Sequence, residues 1–215
     1  AFSIAANGRP GPVLIDIPKD VQFAKGNYQS SKEVKIDSHR LFEPKIKAND
    51  QNIEEATKLI ANAKKPIFYI GGGCINSGPK ASQLVTKFVE ETKAPATMTL
   101  MGLGVIGAKN KYSLGMLGMH GMYEANMAMH ECDVMINIGA RFDDRVTGRL
   151  DAFAPNSKKI HIDIDPSNIN KTIKIDVPII GDIESVMNQI FSSWKNNNYK
   201  SQKEDLIKWW NKIEE

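Results

Sequence analysis

Apolar residues gather along this chain in short unbroken runs, each closed by glycine or acid. Lys65 to Gly73 reads KPIFYIGGG: a charged, proline-bearing approach, four apolar residues in a row, then three glycines. That is how a parallel strand buried on both faces and ending in a close-approach loop is written. Val134 to Gly139 (VMINIG) repeats the idea, and Ile160 to Asp165 (IHIDID) ends the same kind of run in acids. Ala96–Leu100 and Val177–Ile180 are two shorter predicted strands. Between the runs the period changes to that of a helix. Ile53, Ala56, Leu59, Ile60 and Ala63 predict a helix over 51–63 capped by Asp50, and Ala81, Leu84, Val85, Phe88 and Val89 another over 79–92 with Ser77 as its cap. Residues 122–131 are helical in pattern, and Ile183, Val186, Met187 and Ile190 predict a last helix over 182–191 capped by Asp182. Alternating helix and strand predicts an α/β fold with a doubly wound parallel sheet, whose ligands belong at the carboxyl ends of the strands.

The pattern also sets boundaries. Phe2–Ala6 reads as a last helical turn, Gly8-Arg9-Pro10-Gly11-Pro12 as a rigid turn, and Val13–Ile17 as a short strand ended by Pro18, the last strand of a preceding α/β domain. From 23 to 50 the sequence is polar without a sustained period, which predicts a linker. The division expected is therefore 1–22, linker 23–50, a central domain over 51–191, and 192–215 as a connector helix, bearing Trp209 and Trp210, to a further domain. Gly102, Gly104, Gly107, Gly115, Gly118 and Gly121 predict a loop with exposed backbone.

Composition narrows the function classes. With 41% hydrophobic and 25% charged residues the chain is globular, and no apolar run is long enough to cross a membrane. The net charge of +3 comes from basic residues scattered among acids, so no stripe suggests nucleic acid. Cys74 and Cys132 lack metal-ligand spacing, and two thiols in 215 residues fit a reducing, cytoplasmic compartment. The opening Ala-Phe-Ser-Ile, without Met or leader, reads as an excised fragment.

Several stretches can carry chemistry. Gly102-Leu103-Gly104-Val105-Ile106-Gly107 matches the dinucleotide fingerprint in letters only, since no apolar helix follows it. Gly71 to Gly73 does follow a strand and precede a helix; it serves either a tight turn or the approach of backbone N–H groups to a phosphate or ribose. The loop from Gly139 to Arg149 releases three arginines and two aspartates within nine residues. It is either an anion site with acids orienting the guanidinium groups or a solvated ion-pair cluster. Met116, Met119, Met122, Met127 and Met129 interleave with His120 and His130; such clusters fill cores, and they also line flat aromatic ligands. His39, His130 and His161 are too dispersed for a metal site. Asp163 and Asp165 close a strand, where an acid accepts ribose hydroxyls or caps a turn. No catalytic nucleophile set, zinc spacing or phosphate-binding Walker loop is present, so a cofactor-holding module is expected, with no catalytic or metal-ligating residue of its own.

GRPGPVLIDIPKDVQ (Gly8 to Gln22), PIFYIGGG, TLMGLG (Thr99 to Gly104), LGMLGMHGMYEAN (Leu114 to Asn126) and NIGARFDDRVTG (Asn137 to Gly148) together resemble the large catalytic subunit of acetolactate synthase. The resemblance runs from Ala1 to about Phe191, and GARFDDRVTG with GMLGMHG is its most specific part. That family uses thiamine diphosphate and Mg2+ to decarboxylate pyruvate and join the two-carbon unit to pyruvate or 2-oxobutyrate, in branched-chain amino acid synthesis. Its subunits place an FAD-holding domain between a pyrimidine-binding and a diphosphate-binding domain. The resemblance thus implies that 1–22 ends the pyrimidine-binding domain, that 51–191 holds FAD, and that the thiamine and metal sites lie in parts this chain lacks, leaving it inert alone. It implies FAD contacts from Arg9, from backbone at Gly71, Gly72 and Gly73, from Thr99 and Leu100, and from Met119, His120 and Gly121 beside the flavin. Gly139, Ala140, Arg141 and Asp143 are expected along the ribityl and diphosphate, and Asp163, Ile164, Gly181 and Asp182 near the adenosine. Arg145 matches a substrate-channel arginine. Expected partners are 2-oxo acid substrates, a second large subunit or more, and a small regulatory subunit, with neither nucleic acid nor membrane. Two other readings stand beside this one: a redox-active relative such as pyruvate oxidase, which the FDDRVTG run speaks against, and a stand-alone nucleotide-binding module.

Overall fold

The computed structural model describes residues 1–28, 30 and 44–215. They form two compact units, Ala1–Pro44 and Lys45–Glu215. Of the predicted linker, residue 29 and residues 31–43 lie outside the described residues, as does His39.

In the first unit, helix α1 (Phe2–Ala6) is the expected turn, and the Gly11 N–H closes back on Ala5 O at 3.1 Å around Arg9. Val13–Ile17 is not a strand: it takes no ladder partner among the described residues, and Leu14 is 93% exposed. Branched apolar residues fit a pleated surface, but a strand exists only where a neighbour pairs with it. A short helix, α2 (Lys19–Phe23), follows Pro18.

The second unit begins with α3 (Asp50–Asn62), which buries Ile53, Ala56 and Ile60. Its cap is Asn49, whose side chain accepts from the Gln51 N–H at 2.8 Å; the expected cap, Asp50, sits one position inside the first turn. Strand β1 (Pro66–Ile70) leads to a single turn of helix, α4 (Gly73–Asn76), and then to α5 (Pro79–Thr92). Ser77 does not cap α5. Gly78 does, at φ +100°, with Pro79 opening the helix, because the chain must reverse between two helices and only glycine enters that conformation freely.

Strands β2 (Ala96–Met98) and β3 (Ser113–Met116) come next, then α6 (Tyr123–Glu131), β4 (Val134–Ile138), α7 (Asp144–Thr147), β5 (Lys158–Asp163), β6 (Val177–Ile180), α8 (Ile183–Asn196) and α9 (Lys203–Glu214). Among the described residues all strand pairs are parallel, in the order β3-β2-β1-β4-β5-β6. One face packs Phe68, Ile70, Ile136, Ile138, Ile160 and Ile162 under α3, α5 and α8. There Phe88 meets Phe68, Phe191 and Trp194 edge to face, which explains why α8 continues to Asn196. The opposite face packs Ile67, Tyr69 and Met135 with Ala128, Met129 and Trp209 of α6 and α9. Helices on both faces make the sheet doubly wound, as expected.

Two differences from the sequence reading matter. The glycine-rich loop contains β3, an edge strand paired irregularly with β2 and only half-buried, so its residues have no reason to show an apolar period. The terminal helix α9, expected as a connector, packs on its own sheet: the indole N–H of Trp209 donates to Pro66 O at 3.2 Å and that of Trp210 to Lys93 O at 2.9 Å. Lys212 pairs with Glu131 of α6, whose carboxyl is held below its ordinary range first by that hydrogen bond.

Candidate functional site

From β1 the chain works outward to β2 and β3, then returns to the other side of β1 as β4. The carboxyl ends of β1 and β4 therefore form the switch point where open α/β sheets take their ligands. Here those ends touch. Gly71 N–H donates to Ile138 O and Gly73 N–H to Gly139 O, both at 2.9 Å. A Cβ on Gly71 would lie 2.2 Å from Gly139 O, and one on Gly73 would lie 2.8 Å from Gly139 Cα. The glycines of KPIFYIGGG thus serve contact between two loops, and the amides of Gly71 and Gly73 are already committed. Gly72 is different: a Cβ there would meet Met101 at 3.0 Å, on the side of the β2 loop.

That loop is built by Thr99. Its N–H donates to Ile70 O at 2.9 Å, and its hydroxyl accepts from the Gly102 N–H at 3.1 Å, closing a single 3-10 turn over Leu100–Gly102. Gly102 packs against Ile70 O, where a Cβ would stand 2.5 Å away. The turn leaves Leu100 and Met101 69% and 75% exposed beside Gly72. Met101 is an addition to the residues singled out from sequence.

After β3, Gly118 enters a left-handed conformation (φ +99°), and both of its backbone polar groups are held by the Asn126 side chain, at 2.8 and 2.9 Å. The Met119 N–H donates to Arg145 O at 2.8 Å, so the Met119–Gly121 loop is pinned to the loop after β4. Met119 is 61% exposed and His120 is exposed with it.

After β4, Gly139 turns at φ +63° and Ala140 is buried. Arg141 is exposed, with Asp143 Oδ2 at 3.8 Å. Asp143 caps α7 by accepting from the Arg145 N–H at 3.1 Å, and that bond is the leading cause of its lowered pKa, with the two arginines adding less. Arg145 itself is exposed.

The two remaining strand ends behave differently. Asp163 is buried; its carboxylate accepts from Asp165 N–H at 2.9 Å and Asn168 at 3.1 Å, with His161 Nε2 3.6 Å away. Burial works to raise its pKa, but these partners outweigh it and hold the carboxyl below its ordinary range. Asp165 accepts from the Ser167 N–H at 2.9 Å, which is the turn-capping reading. Ile164 between them is half-buried. Gly181 N–H donates to Asp163 O at 3.0 Å, and Asp182 caps α8 while accepting from the Ser77 hydroxyl at 2.6 Å. The side chains of Asp163 and Asp182 therefore hold the scaffold, and what they leave to a ligand is backbone.

Gly71–Gly73, Thr99, Leu100, Met119–Gly121, Gly139–Asp143, Arg145, Asp163, Ile164, Gly181 and Asp182 all follow carboxyl ends of one parallel sheet. Arg9 belongs to the first unit and is described with that unit. Cys74 and Cys132 are buried, and burial pushes both thiols up to about 12. Among the described residues no group of His, Cys, Asp or Glu could hold a metal ion, and no helix is long and apolar enough to cross a membrane.

Sheet order and the helices on both faces define a parallel α/β domain. Residues 53–190 match the family model described as "Thiamine pyrophosphate enzyme, central domain". The chain belongs to that family. It is 43% identical over 99% of its length to the acetolactate synthase large subunit of Buchnera aphidicola subsp. Schizaphis graminum, 45% over 99% to that of Porphyra purpurea, and 41% over all of it to the isozyme 3 large subunit of Escherichia coli. It spans 36%, 35% and 37% of those relatives, about a third of their length.

Proposed function

We propose that the chain is the FAD-holding middle of an acetolactate synthase large subunit, the enzyme that condenses two pyruvates, or pyruvate and 2-oxobutyrate, with loss of CO2. The observation that carries this is the joined carboxyl edge of β1 and β4, with the exposed Arg141 in the loop after β4 and, after β2, a glycine-built turn packed on Ile70 that leaves Leu100 and Met101 uncovered. A flavin dinucleotide asks for those elements: apolar, flexible surface for a flat ring and a cation for the diphosphate.

Leu100, Met101, Met119 and His120 supply the ring surface in this reading. Arg141 faces the phosphates, and the backbone at Gly72, Gly139, Ile164 and Gly181 lets the rest of the dinucleotide come close. When bound, FAD acts as a structural element, because the condensation has no net redox change. Thiamine diphosphate and Mg2+ belong to other parts of such subunits, so the 215-residue chain makes no acetolactate by itself. Assembly with a second large subunit and a small regulatory subunit, and a cytoplasmic location, go with the same reading.

The test is flavin retention. An intact large subunit carrying this sequence should purify with FAD and lose it when Arg141 is replaced by Ala; an intact subunit that is active without flavin would overturn the proposal. The isolated chain should show only weak saturation in a flavin fluorescence titration, since ordering the loops that follow the strands costs binding energy.

A further inference from the structure

Thr97, Tyr69, Asn137 and His161 stand side by side across β2, β1, β4 and β5, paired in register. All four are fully buried. The rows on either side of them, Ala96-Phe68-Ile136-Ile160 and Met98-Ile70-Ile138-Ile162, are apolar. A buried polar side chain is costly unless it is hydrogen-bonded, so a row of four needs four sets of partners.

Thr97 finds its partner in the neighbouring strand β3, and the other three find theirs in the backbone that follows β4. Thr97 Oγ1 donates to Gly115 O at 3.0 Å and Tyr69 Oη to Arg141 O at 2.9 Å. Burial raises the Tyr69 phenol, with Asp143 adding and Arg141 opposing, so it stays a donor. Asn137 closes on one residue from both sides: its Nδ2 donates to Ala140 O at 2.9 Å and its Oδ1 accepts from the Ala140 N–H at 3.0 Å. His161 Nε2 is 3.1 Å from the same Ala140 carbonyl. A carbonyl only accepts, so the proton is on Nε2, and both lone pairs of Ala140 O are filled. Nδ1 is buried without a partner among the described residues.

We infer that three members of this row, Tyr69, Asn137 and His161, are a positioning layer for the loop after β4. Tyr69, Asn137 and His161 fix the Ala140–Arg141 backbone from below; Asp143 then caps α7, and Arg145 O holds the Met119 N–H. The aim of Arg141 and the seat of Met119 are thereby set by three fully buried side chains. An apolar row would fill the same space but orient nothing, and would leave the Ala140 N–H and carbonyl and the Arg141 carbonyl without these partners. The identity of the ligand rests on the flavin proposal; the order of the loop does not.

Tyr69→Phe removes one hydroxyl and keeps the ring. Hydrogen exchange of this variant should show amides 140–147 opening about 5-fold faster, the worth of one ordinary hydrogen bond, with the ladder amides of β4 and β5 unchanged. Unchanged loop exchange, or equal acceleration everywhere, would overturn the inference. If the loop loosens in a protein that never binds FAD, the positioning layer stands and the flavin proposal falls. Nitrogen-15 spectra of the unaltered chain give a second measure: His161 should carry its proton on Nε2, and a proton on Nδ1 alone would break the layer as described.

Discussion

Gly71 and Gly139 meet backbone to backbone: the Gly71 N–H reaches Ile138 O, and a Cβ at Gly71 would sit 2.2 Å from Gly139 O and 2.4 Å from Ala140 Cα. The obstacle is main chain, which cannot rotate aside as a side-chain tip can. Gly71→Ala should therefore cost about 1–3 kcal/mol, the range for overpacking a close-packed interior. Gly107 lies in the same kind of glycine-rich sequence but has no atom within 4 Å of its would-be Cβ and no left-handed φ. Gly107→Ala should stay within about 0.5 kcal/mol of the parent. Denaturant midpoints of both variants decide the matter: equal stability would mean that the two strand-end loops are not in contact.

Arg141 and Arg145 share a loop but are held differently. The carbonyl of Arg141 is gripped by Tyr69 and its exposed guanidinium lies 3.8 Å from Asp143, while Arg145 lies in the capped turn of α7. In an intact enzyme Arg141→Ala should weaken FAD binding by roughly 10- to 150-fold, the worth of a charge-assisted hydrogen bond. Arg145→Ala should spare FAD and raise the KM for the 2-oxo acid. Equal loss of FAD in both, with unchanged substrate constants, would reduce the loop to an ion-pair cluster.

Much of this was legible in the sequence because its signals are local. PIFYI and VMINI are buried on both faces, and a run with no polar side to show can be read directly as a central parallel strand. The edge strand β3 escaped because it is half-buried and broken by Gly115, so neither period applies. The cap at Asn49 is local but adjoins Asp50, an equally good capping residue, whereas Ser77 is committed to Asp182, 105 residues away, and no local pattern carries that. His161 was set aside as too isolated for a metal site. Its partner is the Ala140 carbonyl that follows the neighbouring strand, and the available signal was that Thr97, Asn137 and His161 interrupt apolar runs.

Asp163 should leave a mark on acid stability. Its folded pKa lies below the ordinary carboxylate value of about 3.9. A depressed carboxyl stabilises the fold fully above that value and loses its contribution as pH falls through the folded pKa. The parent should therefore be more stable than Asp163→Asn by a constant margin from pH 7 down to about 5, and the margin should shrink below about pH 4. Urea midpoints of the two proteins across that range provide the check. A margin that does not change with pH would mean that the ionised carboxylate is not what holds Asp165 and Asn168.

The last prediction concerns α9, whose amphipathic pattern alone left it unattached. Trp209 is 2% exposed, packs with the second core and donates to Pro66 O at the start of β1, whereas Trp210 lies at the margin against Tyr112 and Lys93 O. If α9 belongs to the domain, Trp209→Ala should destabilise it by about 3–5 kcal/mol, as large aromatic truncations in cores do. Trp210→Ala should cost about 1 kcal/mol, the worth of one exposed indole hydrogen bond. The contrast separates docking from mere attachment, because two neighbouring indoles on a free helix would be equivalent. Chemical denaturation of the two variants would reveal which holds, and equal, small losses would return α9 to the role of a connector.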